Sequence, residues 1–414
     1  MACVMLRLAA CGFVHRTAGS GATALFHILC EILDRGHKVD FYHLPGMWDP
    51  TWLEGRTGFR AIEVSDPTCM AIWRRIDSVH PRLSPPIGRF IMAGFPQIAN
   101  PVTFARMGRL LAATHVQSPY SAVIALNMLC PWRIAGLRTV SWTQGPPQGE
   151  SDFLTANART LCRQLGLGYF AGLMAGYMFK HMHNRANAKK SDFIIVGSQW
   201  SVQGWERFGV PAAKLTSLPF PLGPEAMKPP AIDAGRSNPF LFLHIGRIVP
   251  RKRLDLLVRG FSEFRRSFPD ARLLVVGRQD YGRDLAIARA DEMMSNGIEY
   301  RDAVPRSEVS SYLTAADCVV QTSENENFGA AVAEALAAGR PVLVGPSNGT
   351  RDYIPASSVV FSEYTPTAVA AGMVEIARRL RADRHGLSAD ARAAAEHHFN
   401  LRTVTDRVLE LVRS

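Results

Sequence analysis

The chain has 414 residues, 47% of them hydrophobic and 20% charged, a balance that excludes an intrinsically disordered protein. Its formal net charge is +11, and the excess lies early, because residues 1–230 carry 23 basic and 13 acidic side chains. At roughly 150 residues per domain we expect two or three globular domains, with the basic surface in the first half.

The cysteine pattern and the hydropathy pattern exclude several further classes of protein. Seven cysteines are scattered without a CxxC pair, so neither a zinc site nor a disulfide framework is indicated. Met1–Val14 is apolar, but it has no basic leading segment and contains Arg7, so we expect no signal peptide. No apolar run reaches the roughly 18 residues of a membrane-spanning helix. We therefore expect a cytoplasmic protein, with peripheral attachment to the inner face of the cell membrane left open.

Short apolar runs alternate with helical patterns in the first half, which is typical of parallel sheets with crossover helices. A loop at His15–Gly21 separates a predicted strand at Val4–Ala10 from a helix whose apolar residues recur at helical spacing. Further predicted strands are Lys38–His43, Ala122–Leu126, Thr139–Trp142, Phe193–Gly197 and Leu215–Leu218.

A second alternating series follows a Pro- and Gly-rich segment, predicted to be a linker at 226–238. Its predicted strands are Phe240–Ile245, Arg272–Val276, Cys318–Gln321 and Pro341–Val344, and its predicted helices are Leu254–Phe268, Glu308–Ala316, Ala330–Ala338 and Pro366–Arg381. The pattern predicts an α/β protein with two Rossmann-like, doubly wound domains at 1–225 and 239–395, followed by an amphipathic helix at Leu401–Val412. Ligands of such domains bind at the carboxyl ends of the strands.

The densest polar cluster runs from Glu324 to Ala335, after the predicted strand Cys318–Gln321, and opens an Ala-rich helix. Free N–H groups and the dipole at a helix start favour anionic oxygens. Gly329 allows a ligand to approach the backbone closely. Glu326, before the helix, and Glu334, within it, are spaced to face one pocket. A second interpretation remains open for Glu326, namely a capping charge near a helix start.

A basic cluster, Gly246–Arg253, follows the predicted strand Phe240–Ile245 directly. Arg247 and Lys252 suit a diphosphate, which Arg binds in bidentate fashion and Lys as a point charge. The alternative is an exposed basic loop without a ligand.

These two clusters, in this order, resemble those of the retaining GT-B glycosyltransferases of family 4, most clearly over Phe240–Ile354. Glu326 and Glu334 stand as the family's E-x7-E pair, and Arg247 and Lys252 match its phosphate-binding residues. Leu274–Gly277 is similar to its strand-and-glycine step near the nucleobase, and Asn348–Asp352 to an altered form of its G-G-x-x-E element.

The resemblance implies two facing domains, no cofactor and no metal, and sugar transfer from a nucleotide-sugar donor to a glycan or lipid-linked acceptor with retention. It implies that Glu326, Arg247 and Lys252 are catalytic. The implied donor-binding residues are Gly21, Arg247, Lys252, Gly277, Phe328, Gly329, Ala330 and Glu334, with Glu334 on the ribose hydroxyls and Glu326 on the sugar. It also implies that the helix at Leu401–Val412 returns to the first domain.

Two first-half positions are acceptor candidates. His15 lies in the predicted loop that ends with the glycine motif Gly19–Gly21, and Gln144 follows the predicted strand Thr139–Trp142. The family often carries His at the position of Gln144 and a second glycine at Ser20. Glutamine cannot act as an acid or base, so no detailed acceptor chemistry follows from this position.

Two alternatives remain open. Gly345–Gly349 matches G-x-S-x-G, with Asp390 and His397 downstream, as in a serine hydrolase built on Ser347. Pro355 interrupts the long helix that such a nucleophile would open. The altered Ser20 and Gln144 also fit a non-catalytic relative that binds lipid or a partner.

Leu165–Phe179 is apolar and has basic flanks at Arg159, Arg163, Lys189 and Lys190. Such a segment forms either an interfacial helix on anionic lipid or a buried core helix. With no nucleic-acid-binding motif in the chain, the basic first half indicates an anionic membrane surface or a lipid-phosphate acceptor.

Overall fold

The structure is a computed structural model that describes residues 5–12, 20–43, 51–64, 104–143, 145, 148–228, 240–278 and 297–414. The chain divides into two compact units, one of Met1–Pro221 with Leu401–Ser414 and one of Leu222–Asn400. The sequence predicts these boundaries at residues 225 and 395. Most of the predicted linker, residues 229–238, lies outside the described residues.

The described part of the first unit contains a seven-stranded sheet in the order β3-β2-β1-β4-β5-β6-β7, and every neighbouring pair is parallel. The chain builds outward from β1 on one side and then returns to continue on the other, which is the doubly wound order. The strands are β1 Arg7–Gly12, β2 Lys38–His43, β3 Phe59–Glu63, β4 Ala122–Leu126, β5 Arg138–Trp142, β6 Phe193–Val196 and β7 Leu215–Ser217.

The helices of this unit connect the strands. They are α1 Ser20–Asp34, α2 Gln148–Ala156, α3 Ala158–Leu165, α4 Leu167–Ala188 and α5 Gln199–Arg207, and residues 104–117 are also helical. Of the 22 residues of α4, two are buried, Gly172 and Ala188, so this apolar helix lies at the surface of its unit. No helix in the described ranges is both long and apolar enough to cross a membrane.

The second unit repeats the doubly wound order with six parallel strands, β10-β9-β8-β11-β12-β13. These are β8 Leu241–Ile245, β9 Arg272–Val276, β10 Ile298–Arg301, β11 Cys318–Gln321, β12 Val342–Val344 and β13 Val359–Val360; the helices are α6 Leu254–Arg265, α7 Val309–Ala315, α8 Ala330–Ala337 and α9 Pro366–His398. Both sheet faces are covered. Phe242 joins one apolar cluster and Leu243 the other, as expected for successive strand residues. The α/β class predicted from the sequence is confirmed.

The last helix, α10 Leu401–Arg413, packs within the first unit against α1 and β5. Its apolar side is buried at Val404, Val408, Leu409 and Val412. Arg35, the residue directly after α1, forms an ion pair with Asp406 of α10. The predicted return of this helix to the first domain is therefore confirmed.

Candidate active site

Two loops of the second unit are joined where β8 and β11 end. The Gln321 side chain donates from Nε2 to the carbonyl of Ile245 at 3.0 Å, and Thr322 Oγ1 donates to the carbonyl of Lys252 at 2.9 Å. The backbone N–H of Glu324 donates to the carbonyl of Arg251 at 2.9 Å. Because parallel strands end at one edge of the sheet, these bonds hold the basic and acidic clusters of the sequence side by side.

A buried ion pair links the two loops. Lys252 Nζ contacts Glu326 Oε2, and Arg251 Nη1 lies 3.4 Å from the same oxygen. None of these three side chains is more than 15% exposed. Burial alone would raise the pKa of Glu326, but Lys252 and Arg251 lower it to about 2, so the carboxylate is charged at neutral pH. Burial lowers the pKa of Lys252, an effect that Glu326 opposes.

Gly277 is needed for close packing of two loops. A Cβ at this position would lie 1.8 Å from the carbonyl oxygen of Gly246, which no side chain could tolerate. Gly246 itself has a φ of +150°, a conformation that L side chains rarely adopt. The structure thus gives Gly277 a packing role beside Arg247, whose side chain is exposed.

Helix α8 begins beside the ion pair with its first N–H groups unsatisfied within the helix. Gly329 is its N-terminal flanking residue, and a Cβ there would lie 3.1 Å from both Asn348 Oδ1 and Thr350 Oγ1. The Phe328 ring packs against Tyr353 and Phe399, with centroids 6.3 and 5.9 Å away. The contribution of Phe328, Gly329 and Ala330 to an anion site would therefore come from their backbone N–H groups.

Glu334 lies on α8 and has its own cation. Arg306 Nη2 is 2.5 Å from Glu334 Oε1, and the two side chains are 46% and 7% exposed. The family resemblance implies that Glu334 binds the ribose hydroxyls, and the structure adds a guanidinium beside that carboxylate. Arg306 was missed because it lies 28 residues upstream, in a short 3₁₀ turn that carries no motif.

The second unit is similar in sequence to known glycosyl transferases. Residues 231–392 match the family described as glycosyl transferases group 1. The match covers most of the second unit, Leu222–Asn400.

Relatives of known name extend the likeness. The chain is 25% identical over 274 residues to a GDP-mannose-dependent alpha-(1-6)-phosphatidylinositol monomannoside mannosyltransferase of Mycolicibacterium smegmatis, covering 62% of this chain and 65% of that protein. It is 28% identical over 160 residues to a component of the phosphatidylinositol N-acetylglucosaminyltransferase of Arabidopsis thaliana, covering 39% of this chain and 36% of that protein. The chain thus spans less than two thirds of the length of either relative.

Over nearly its whole length the chain resembles solved protein structures. Anabaena HepE in complex with UDP and glucose superposes with a TM-score of 0.64 at 15% identity, covering 99% of this chain and 100% of that one. At that identity the likeness shows the fold alone, which is GT-B, as the sequence predicts.

The second unit contains functional candidates that the sequence motifs missed. Arg251 belonged to the basic cluster without an assigned role, yet it contacts Glu326 and donates to the carbonyls of the acidic loop. Tyr364, which lies shortly before α9 in the chain, donates from its hydroxyl to the carbonyl of Ser323 at 2.9 Å. This bond helps to hold the acidic loop in place. No spacing pattern in the sequence connects Tyr364 with residues about 40 positions earlier.

Arg253 has an unusual backbone conformation beside the Lys252–Glu326 ion pair. Its φ is +51°, in the left-handed region that non-glycine residues rarely occupy. Its guanidinium bonds to Asp255 at 3.1 Å and to Glu324 at 2.7 Å. These contacts hold the residue in place at the start of α6, and such strain is common where a loop is shaped for a ligand.

Of the three candidate site residues in the first half, the structure describes only Gly21. The sequence predicts Gly21 at the end of a loop, but α1 begins at Ser20, so Gly21 lies in the first turn of the helix. Its donor contact stays a prediction. His15 and Gln144 lie outside the described residues. The acceptor assignments therefore stay predictions as well.

The structure does not support the serine hydrolase. Ser347 Oγ contacts the Tyr364 hydroxyl and accepts from the N–H of Asn325 at 2.9 Å, so its described partners include no histidine. The segment after it forms a 3₁₀ turn, Gly349–Tyr353, in place of the long helix of a nucleophile elbow.

Within the described ranges, no group of three or more His, Cys, Asp or Glu side chains is arranged to hold a metal ion.

Proposed function

We propose that the chain is a glycosyltransferase of the hexosyltransferase type, which moves a sugar from a nucleotide-sugar donor to a glycan or lipid-linked acceptor. The observation that carries the proposal is the buried Lys252–Glu326 pair beside the start of α8, in a unit of the group 1 family. Retention of the anomeric configuration and independence from metal are part of the proposal.

The donor's diphosphate is the chemistry that best fits the cations at this edge. Exposed Arg247 and partly accessible Lys252 neutralise charge on the phosphates as the bond to the sugar breaks. The N–H groups at the start of α8 bind the sugar-proximal phosphate. Glu334 accepts hydrogen bonds from the ribose hydroxyls, which replace part of its contact with Arg306.

The charge state of Glu326 determines which role it plays. A carboxylate whose pKa is about 2 is a poor proton acceptor at neutral pH. Glu326 therefore binds donor-sugar hydroxyls instead of acting as the general base. The proton of the acceptor hydroxyl passes to the leaving phosphate on the same face of the sugar, and transfer on that face retains the anomeric configuration.

The proposed acceptor is lipid-linked and anionic. Both named relatives carry phosphatidylinositol in their names, and the first half of this chain has the excess of positive charge. The apolar helix α4 at the surface of the first unit fits a peripheral position on the cytoplasmic face of a membrane. Polysaccharide or glycolipid biosynthesis is the corresponding process.

The test begins with a thermal-shift screen of the full chain against UDP-, GDP- and ADP-sugars, followed by a transfer assay with the sugar that binds. We expect Lys252→Ala and Glu334→Ala each to lower transfer about 100-fold or more, because each removes a group that acts on the donor. The product should keep the donor's anomeric configuration by NMR, and EDTA should leave the rate unchanged.

Lys228→Ala is the matched control, since Lys228 is an exposed cation of the same unit whose partner is the exposed Glu225. It should transfer sugar within twofold of wild type. Wild-type turnover by both Lys252→Ala and Glu334→Ala would refute the site. Absence of any nucleotide-sugar binding would favour the non-catalytic relative.

A further inference from the structure

The first unit contains an open pocket of about 740 Å³ between the end of α4 and the segment after α5. Among the described residues that line it, three are cationic and none is acidic. The cations are Arg185, Lys189 and Lys214. No site residue assigned above belongs to this pocket.

The polar side of the pocket is positive despite its position at a helix end. Carbonyl groups at the C-terminus of α4 would repel an anion, because the helix dipole is negative there. Lys214 Nζ lies beside this helix end, where it donates to the carbonyl of Lys189, the residue directly after α4, at 3.2 Å and to that of Ser191 at 2.7 Å. The ammonium thus places a positive charge at this helix end, and Arg185 and Lys189 add two more. A phosphate group has the complementary charge.

The other side of the pocket is apolar. Met182, Phe208, Val210 and Pro211 line it, and the Arg185 guanidinium lies 5.7 Å above the Phe208 ring. Met182 also belongs to an exposed apolar strip on α4, in which Leu167, Met178 and Met182 are 73%, 57% and 59% exposed. Met178, Met182 and Arg185 are spaced four and three residues apart and so share one face of the helix.

We propose that this pocket binds the phosphate headgroup of an anionic membrane lipid, with Met178 and Met182 in contact with the acyl region. Charge complementarity selects the headgroup, and continuity with the exposed strip selects an amphiphile over a free anion. The inference rests on the proposed function only in placing the protein at a membrane. It adds a lipid site within the first unit, separate from the residues that bind the donor.

The test uses the full chain with ¹³C-methyl-labelled methionine and dihexanoyl-phosphatidic acid below its micelle concentration. We expect a saturable shift of the Met182 methyl resonance, assigned with Met182→Leu. The double variant Arg185→Gln, Lys189→Gln should bind this lipid at least tenfold more weakly, and each single variant should show a smaller loss. The single variants keep the test decisive if the double variant fails to fold.

Lys180→Gln is the matched control, because Lys180 is a cation of the same helix outside the pocket lining. It should bind the lipid as wild type does. Inorganic phosphate binding as tightly as the lipid would overturn the proposal, because the apolar side would then contribute nothing. Equal binding of dihexanoyl-phosphatidylcholine would overturn it too, since the cations would not select the headgroup.

A nucleotide-sugar thermal shift on the same samples separates this proposal from the proposed function. If the donor raises the melting temperature while the lipid leaves the Met182 methyl resonance unshifted, the pocket proposal fails and glycosyl transfer stands. If the lipid shifts Met182 and no nucleotide-sugar binds, glycosyl transfer fails and the lipid site stands.

Discussion

The carboxylate of Glu326 is a buried charge whose stability depends on the two cations that contact it. Removing a carboxylate from water is unfavourable unless opposite charges lie close by. Lys252 and Arg251 supply those charges, and they lower the pKa of Glu326 to about 2. The same contacts fix the two loops at the ends of β8 and β11 to each other. Binding chemistry and local stability therefore depend on the same side chains.

Glu326→Gln should destabilise the folded protein by about 3 kcal/mol, because it leaves the charge of Lys252 buried without its partner. The folded-state pKa of Glu326 lies below its unfolded value of about 4.5, so the carboxylate's contribution is fully present above that pH. It is lost as the pH falls toward about 2. Urea unfolding at a series of pH values should show a constant gap between wild type and variant from neutral pH to about pH 5, and a narrowing gap below.

Glu225→Gln removes an exposed carboxylate whose side chain is 84% accessible, and it should change the unfolding free energy by less than about 0.5 kcal/mol. A gap between wild type and Glu326→Gln that stays constant down to pH 3 would contradict the low pKa of Glu326.

Single residues differed in how far the sequence could identify them. Lys252 and Glu326 lie in the loops that follow two buried strands, so a motif at a strand end locates both in the chain. Their contact with each other, 74 positions apart, depends on β11 lying next to β8 in the sheet. Arg306 and Tyr364 reach their partners only through tertiary packing. No local pattern encodes such contacts.

Helix α9 consists of two segments in one run of residues. Asp383 interrupts it with φ −155° and ψ 84°, and its Oδ1 accepts from the N–H of Gly386 at 2.7 Å. This is an N-cap, which satisfies one of the donors left open at a helix start. The predicted end at Arg381 corresponds to the end of the first segment, and the second segment was not predicted.

Asp383→Ala should destabilise the second unit by about 1 kcal/mol, because the second segment of α9 loses its cap. Asp383→Asn is the matched control, since asparagine caps helices as well as aspartate does, and it should stay within about 0.5 kcal/mol of wild type. Hydrogen exchange would report the effect at Gly386 and the turn after it. Equal protection in Asp383→Ala and wild type would contradict the capping role.

Strand position explains which elements the sequence predicted. The bounds of β4, β9 and β11 agree with the predicted strands residue for residue, and the burial of their residues produces the continuous apolar runs of inner parallel strands. The three strands that were missed, β3, β10 and β13, are all at sheet edges. Edge strands are half exposed or short, so they lack such a run.

The positive charge of the molecule is distributed unevenly, and its excess lies in the first half of the chain. Within the first half, α4 is a surface helix with exposed apolar side chains that carries Lys180 and Arg185 and no acidic residue. Cations near an anionic membrane surface each contribute about 1 kcal/mol at moderate ionic strength. A surface that combines these cations with apolar side chains supports the proposed peripheral position.

Changing Arg159, Arg163, Lys189 and Lys190 together to glutamine should weaken binding to phosphatidylserine-containing vesicles at least tenfold, because four attractive charges are lost. Cosedimentation at two salt concentrations is the measurement, and the salt dependence of the variant should be shallower. The matched control changes four cations of the second unit, Arg266, Arg272, Arg301 and Arg378. Unchanged vesicle binding by the first variant would rule out these residues as the source.

The return of α10 to the first unit has a consequence for synthesis of the protein on the ribosome. Residues 222–400 are continuous in sequence, so the second unit needs no segment from elsewhere in the chain to be complete. The first unit emerges earlier, yet its α1 and β5 wait for α10. At 5–20 residues per second that wait lasts roughly 10–40 s. The half of the chain that is made first is thus the half that is finished last, and its apolar surface needs protection throughout elongation.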